Sequence, residues 1–112
     1  MSTHKNSLSG NWFTFSLMRQ LANIGSEVER AIKAKNDNQK SNKESALYRV
    51  LDLVDLTIAD PKNRCRLKEI VRFREVFIDY LLFANIYKFT DKYWQDYFYY
   101  FSYAYLQEKS VI

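Results

Sequence analysis

The 112-residue chain has little of the material from which disulfide-bonded and many catalytic proteins are built. It contains one cysteine, Cys65, and one histidine, His4. A single cysteine excludes an intrachain disulfide, and a single histidine excludes the paired Glu-x-x-His motifs that hold metals in helical bundles. Two glycines cannot form a phosphate-binding glycine loop. The sequence therefore predicts no metal, no cofactor and no catalytic constellation.

Turn formers and long apolar runs are also scarce. One proline and two glycines are few for an all-β chain, which needs many tight turns, so helices are favoured. The longest apolar stretch, residues 76–87, is interrupted by Asp79 and Asn85 and is shorter than the roughly 20 residues of a membrane span. The polar residues 1–11 contain no signal-peptide core. We expect a cytoplasmic protein without membrane contact.

Aromatic residues, at 17% of the chain, are abundant instead. Apolar residues recur at helical spacings of three and four in four segments, which cover residues 12–35, 41–59, 61–83 and 91–107. The predicted fold class is all-α, an antiparallel four-helix bundle. We expect one domain over residues 12–107, with polar tails at 1–11 and 108–112.

Local signals place the ends of the predicted helices. Asn11 is a candidate N-cap for the first helix, and the polar run at 36–42 predicts a loop. Ser41 and Glu44 have the spacing of a capping box. Asp60 and Pro61 form an N-cap followed by a proline at the first helical position, which predicts a sharp corner between helices two and three.

Residues 93–105 include nine aromatics and allow two interpretations. Alternate aromatic side chains fit a strand. The same segment also fits a helical period, and no second strand is available to pair with it. We therefore predict a helix.

Gly25 and Cys65 each have a structural and a functional interpretation. Glycine inside a helix costs about 1 kcal/mol relative to alanine, so Gly25 indicates a tight helix crossing more readily than a ligand notch. Cys65 lacks a histidine base, so we expect it to be a packed small residue and not a nucleophile.

Arg74 interrupts the apolar stripe of the third helix. A guanidinium in such a position requires a carboxylate partner, so we expect a buried ion pair of Arg74 with Glu27 or Asp55. A pair that fixes helix register is the more ordinary interpretation, and a small-ligand or active site is the alternative.

Basic residues concentrate between positions 62 and 74, which hold six basic side chains and one acidic one, whereas the whole chain has a net charge of +4. Arg64, Lys68 and Arg72 share one face of a continuous helix at four-residue spacing. This face is a candidate surface for nucleic acid or an acidic protein partner. An ordinary solvated face is the simpler interpretation.

The fourth helix carries more aromatics than one buried stripe can hold. Trp94, Tyr97, Phe98, Phe101 and Tyr105 can face the core, which leaves Tyr93, Tyr99, Tyr100 and Tyr103. Tyrosine is favoured where an apolar body meets a wet edge, as at interfaces. We expect these four residues to form a homodimer interface, near Phe73, Tyr80, Phe83 and Tyr87. The alternative leaves the tyrosines on the surface, with their hydroxyls in water, or covering the 36–42 loop.

Several runs resemble a family of short helical prokaryotic proteins without an assigned activity. The runs are Trp12 to Leu17, Gln20 to Val28, Leu56 to Arg64, Arg66 to Glu69 and Arg74-Glu75. The resemblance implies a soluble intracellular helical protein and supplies no catalytic residues. From the sequence we expect a protein that acts by protein–protein interaction as a homo-oligomer. The alternative is a nucleic-acid-binding or nucleotidyltransferase-associated module that uses the basic face of helix three.

Overall fold

The computed structural model describes residues 10–110. Four long helices account for most of this range, namely α1 (Leu17–Asn36), α2 (Lys40–Ala59), α3 (Leu67–Leu82) and α4 (Asp91–Ser110). A 3-10 helix, Pro61–Arg66, joins α2 to α3, and residues 10–12 form a helical turn. Residues 10–110 contain no strand, so the all-α prediction is confirmed and the helical interpretation of residues 93–105 is correct.

Helix α1 begins later than predicted. Its N-cap is Ser16, whose hydroxyl accepts from the Arg19 amide at 3.2 Å. The predicted cap at Asn11 is wrong because the chain turns after Trp12 and inserts the indole into the core. There Trp12 Nε1 donates to Thr57 Oγ1 at 3.0 Å. A long-range contact therefore decides where α1 starts.

The connection between α1 and α2 is also shorter than expected. Helix α2 begins at Lys40, so Ser41 and Glu44 lie inside its first turns and do not form the predicted capping box. Asn38, with φ of 57°, supplies the left-handed residue of the turn, a conformation that asparagine tolerates better than most residues. Backbone bonds from Asp37 and Gln39 to the end of α1 close it.

The corner after α2 follows the Asp60-Pro61 prediction. Asp60 is extended, and its carboxylate accepts from the Lys62 amide at 3.2 Å. The predicted continuous helix over 61–83 is nevertheless wrong, because the chain forms a 3-10 helix as far as Arg66 before α3 begins.

The core lies where α1 packs on both α2 and α4 and where α3 covers α2. Gly25 makes the α1–α4 approach possible: a Cβ at this position would lie 2.7 Å from Phe98 Cβ. The predicted tight helix crossing is confirmed. From α3, Phe73 packs edge-on against Trp94 and Phe98 of α4, with ring centroids 5.3 and 5.2 Å apart.

Helical structure extends at both ends into residues that were predicted to be tails. Helix α4 continues to Ser110, and Glu108 accepts a hydrogen bond from Ser16 at 2.6 Å, so residues 108–110 belong to the helical domain. At the other end, Gly10 and Asn11 are helical. The rest of the two predicted tails lies outside the described residues. Within the described part of the chain, no helix has the length and apolar character to span a membrane.

Candidate functional site

The outer side of α4 exposes all four tyrosines that were predicted to form an interface. Their exposed fractions are 46% for Tyr93, 72% for Tyr99, 64% for Tyr100 and 49% for Tyr103. We call these four residues the tyrosine face. Trp94, Phe98 and Phe101 occupy the opposite side of the helix and are buried, as the helical period requires.

The residues predicted to surround the tyrosine face divide into two groups. Phe83 and Tyr87 are exposed beyond the end of α3. Phe73 and Tyr80 are buried in the core, so their predicted place beside an interface is wrong. They are buried because the ring of Trp94 from α4 packs against both of them.

A row of aromatic rings leads from the α3–α4 connection to the tyrosine face. Phe89 lies 4.7 Å from Tyr93, and Tyr93 stacks on Tyr97 at 6.2 Å with an interplanar angle of 11°. Tyr97 OH donates to Glu69 Oε2 of α3 at 2.7 Å. Because each ring contacts the next and the row is tied to α3, this edge of α4 is held in a fixed arrangement.

Glu69 links the aromatic row to the start of α3. It accepts from Tyr97 and from Arg66, whose Nε lies 3.0 Å away. Burial tends to raise the pKa of Glu69, but these two donors outweigh it and hold the pKa below its ordinary value. Burial, followed by the nearby carboxylate, raises the pKa of Tyr97. Tyr97 therefore remains a protonated donor at neutral pH.

The three candidate basic residues are all exposed, but they do not lie on one continuous α-helix. Lys68 and Arg72 are one turn apart on α3. Arg64 lies in the 3-10 helix, which turns more tightly than an α-helix, so the four-residue spacing from Arg64 to Lys68 is not that of a continuous α-helix. The Arg72 guanidinium lies 5.5 Å from the ring of Tyr87, which places a cation beside the aromatic row.

Arg74 and Asp55 lie together, with Arg74 Nε 2.8 Å from Asp55 Oδ1. Both side chains are 35% exposed, so the expectation of a buried pair is wrong. The pair sits at the edge of the α2–α3 contact, where solvent reaches it. Glu27 is not part of it: this carboxylate lies near Arg30 and Arg49, on the other side of α2.

A second polar cluster joins three helices around Asp91, the first residue of α4. Its carboxylate accepts from Tyr80 OH, from Lys35 Nζ at 2.9 Å and from Asn36 Nδ2 at 3.0 Å. Burial tends to raise the pKa of Asp91, but these donors outweigh it and lower that pKa. Burial and the carboxylate raise the pKa of Tyr80. The cluster anchors α4 to the end of α1.

A buried polar network that the sequence did not predict lies beneath the Asp60 corner. Gln20 Nε2 donates to the Trp12 carbonyl at 2.9 Å and to Asp60 Oδ2 at 2.8 Å, and Gln20 Oε1 accepts from Asn63 Nδ2 at 2.8 Å. Lys62 Nζ donates to the same Asp60 oxygen. The only signal in the sequence was that these residues fall within the runs quoted for the family resemblance. The network connects the segment before α1 to the corner between α2 and α3.

Chemically reactive groups are sparse in the described part of the chain. Cys65 is exposed, so its prediction as a packed small residue is wrong. It projects from the 3-10 helix, whose geometry differs from that of the predicted α-helix. Within residues 10–110, no cluster of three or more His, Cys, Asp or Glu side chains is arranged to hold a metal ion.

Comparison with known proteins adds no relative. No family model, no curated protein and no solved structure matches the chain. The resemblance to a family of helical prokaryotic proteins therefore stays a prediction.

Proposed function

We propose that this chain acts by binding protein surfaces, and that it binds a second copy of itself through the tyrosine face of α4. The observation that most supports this proposal is that four large aromatic side chains on one helix face are about half or more exposed. Tyrosines are enriched at protein interfaces because an apolar ring and a polar hydroxyl suit a surface that is partly dehydrated.

The size of the tyrosine face supports a dimer. At 3.6 residues per turn, its four members lie within an arc of about 120°. If each ring can bury about 150 to 250 Å², their exposed fractions correspond to roughly 350 to 580 Å² per subunit. A stable interface uses about 800 Å² per partner. The exposed Leu106 and Gln107 on the same side of α4 supply further area.

The charges on this face complement a second copy of the same face. Lys92 and Asp96 lie between the tyrosines and pair with each other at 2.7 Å, with exposed fractions of 80% and 66%. A two-fold interface brings one surface patch against itself. Because the patch contains one cation and one anion, Lys92 of each copy can pair with Asp96 of the other copy, and like charges are not brought together.

In this proposal the four long helices form an antiparallel bundle, which their short connections favour. The bundle supports the interface because α4 is anchored to the rest of the fold at both ends. The Asp91 cluster holds its start, and the Ser16 to Glu108 bond holds its last turn.

Charge substitution with a matched control tests the interface. Tyr100→Glu combined with Tyr103→Glu places two carboxylates on the tyrosine face, and we expect the protein to become a folded monomer. Tyr48 on α2 has the same exposed fraction as Tyr100, 64%, so Tyr48→Glu is the control and should leave the dimer intact. Light scattering measures the mass of the protein in solution, and circular dichroism measures its helix content. Equal effects of the two changes would refute the assignment.

Nucleic-acid binding is a second candidate, favoured by one observation. The guanidinium of Arg72 lies beside the exposed ring of Tyr87, and single-stranded nucleic acids bind where cations and stacking rings occur together. We expect Lys68→Gln with Arg72→Gln to weaken binding to a single-stranded RNA and to reduce its salt dependence by about two charges. An absence of binding by the unmodified protein at low salt would dispose of this candidate.

A further inference from the structure

Two neighbouring grooves lie where α1 turns into α2. The first has a volume of about 310 Å³ and lies between the two helices. The second has a volume of about 200 Å³ and lies at the turn. Ala34 and Gln39 belong to the walls of both grooves, so the two form one continuous concave surface. Its size is within the usual range of small-molecule sites, about 300 to 1,000 Å³.

Basic side chains dominate this surface. Three line each groove, namely Arg30, Lys33 and Arg49 in the first and Lys35, Lys40 and Lys43 in the second. Among the lining residues only Glu27 is acidic. Lys35 is occupied by the Asp91 carboxylate, 2.9 Å away. The other five basic side chains concentrate positive charge in a concave site, which attracts anions.

The two lysines at the start of α2 have no acidic partner. Neither Lys40 nor Lys43 belongs to a salt bridge of the described residues. The first turn of α2 contains no acidic residue, and Gln39 makes no side-chain capping bond there. Cations in the first turn oppose the helix dipole, so these lysines do not stabilise α2. A bound anion would offset this unfavourable arrangement.

The cations of the first groove are held loosely and remain accessible. Arg30 and Arg49 share the Glu27 carboxylate, at 3.5 and 3.9 Å, and Lys33 lies 3.7 Å from Asp37. Charge-assisted hydrogen bonds are shorter, about 2.7 to 2.9 Å. The exposed fractions of the three basic side chains are 65%, 59% and 80%. Their N–H groups can therefore turn toward a ligand in the groove.

The other lining side chains restrict the chemistry of the ligand. Asn38, Gln39, Asn42 and Ser45 supply amide and hydroxyl groups, and no residue that lines either groove is aromatic. Single-stranded nucleic acids bind where bases can stack on aromatic rings. These grooves therefore suit anionic groups on a polar frame better than they suit a nucleobase.

We propose that the two grooves together bind a small, non-aromatic compound that carries at least two phosphate groups. One phosphate accepts hydrogen bonds from Arg30 and Lys33 in the first groove. The other accepts from Lys40 and Lys43 in the second. Arginine and lysine are the usual donors to phosphate. Because both grooves share Gln39, phosphates joined directly or through a short frame can occupy them at the same time.

Calorimetric titration of the full chain with inorganic tripolyphosphate tests the proposal, and orthophosphate is the control ligand. Tripolyphosphate carries linked phosphates without a base or a sugar. We expect it to bind saturably, and orthophosphate to bind at least about tenfold more weakly because it loses the charge-assisted contacts of one groove. Equal affinities would overturn the proposal, as would the absence of binding at millimolar tripolyphosphate.

Paired substitutions connect the binding to the named grooves. Lys40→Gln with Lys43→Gln removes two cations from the second groove, and Arg30→Gln with Lys33→Gln removes two from the first. Arg49 is kept so that Glu27 retains a cationic neighbour. Each pair should weaken tripolyphosphate binding by about tenfold or more, and circular dichroism confirms that each variant is folded.

A matched control separates the grooves from the general charge of the protein. Lys68→Gln with Arg72→Gln removes the same charge from α3 and should leave tripolyphosphate binding unchanged. Equal weakening by this pair and by the groove pairs would refute the site. The Tyr100→Glu, Tyr103→Glu protein should bind as the unmodified chain does, so the test is independent of the proposed dimer.

Competition distinguishes a small polyphosphate from nucleic acid. At a physiological ionic strength of about 0.15 M, a single-stranded RNA should not displace tripolyphosphate, because the grooves offer no ring for its bases. Displacement by an RNA whose own binding is lost in the Lys40→Gln, Lys43→Gln protein would assign the grooves to nucleic acid and overturn the proposed ligand.

Discussion

Replacement of Gln20 by methionine tests whether the buried polar network stabilises the fold. Gln20 is fully buried and makes three hydrogen bonds with Trp12, Asp60 and Asn63. Methionine has nearly the same length and volume, so Gln20→Met removes the hydrogen bonds without opening a large cavity.

The expected cost follows from the partners that are lost. Two neutral hydrogen bonds contribute about 0.5 to 1.5 kcal/mol each, and the bond to the Asp60 carboxylate about 1.5 to 3 kcal/mol. Asp60 keeps Lys62 as a donor, and Asn63 still donates to the Thr57 carbonyl at 3.0 Å. Because these bonds remain, we expect the free energy of unfolding to fall by about 3 kcal/mol, near the lower end of the summed range. This is a large part of the 5 to 15 kcal/mol that stabilises an ordinary domain.

Urea unfolding followed by circular dichroism measures this loss. With a slope of about 1 to 3 kcal/mol per molar urea, a loss of about 3 kcal/mol lowers the midpoint by about 1 to 3 M. Gln95→Met, at an exposed position on α4, is the control and should change stability by less than about 0.5 kcal/mol. A Gln20→Met protein with the midpoint of the unmodified chain would show that the network does not stabilise the fold.

Three further predictions address single contacts. Gly25→Ala should lower the melting temperature, because a Cβ 2.7 Å from Phe98 Cβ causes overpacking in the upper part of the range of about 1 to 3 kcal/mol, which exceeds the helix-propensity gain of about 1 kcal/mol. An unchanged or higher melting temperature would contradict the close crossing. Since folding lowers the pKa of Asp91, its stabilisation is present above about pH 4 and is lost as the pH falls through the lowered folded value. Urea midpoints from pH 6 to pH 2.5 should therefore fall less steeply for Asp91→Asn than for the unmodified protein, and parallel curves would count against this linkage. Arg74→Gln should cost no more than about 1 kcal/mol in urea unfolding, because its pair with Asp55 is about one-third exposed; a loss of 3 kcal/mol would show that the pair is desolvated.

The helices could be predicted because their signal is local. The spacing of Leu21, Ile24 and Val28 determines which side of α1 is buried, whatever else the chain does. The predicted start of α1 was wrong because the actual start depends on the hydrogen bond from Trp12 to Thr57, which lies 45 positions away in the sequence. The predicted capping box at α2 was wrong for a local reason, because the tight turn at Asn38, with φ of 57°, lets the helix begin at Lys40, before Ser41.

The candidate sites were predictable to the extent that they depend on one helix. The tyrosine face follows from which aromatics of α4 remain when one stripe is buried. The partner of Arg74 stayed open between Glu27 and Asp55 because the register of neighbouring helices decides it.

The mass of the unmodified protein in solution tests the proposed self-association most directly. Sedimentation equilibrium between about 1 and 100 µM gives this mass without a label or a substitution. We expect a mass of about twice the 13.4 kDa of one chain at the upper concentrations, and a weak dimer would dissociate toward the mass of one chain on dilution. A mass of 13.4 kDa throughout this range would contradict this expectation.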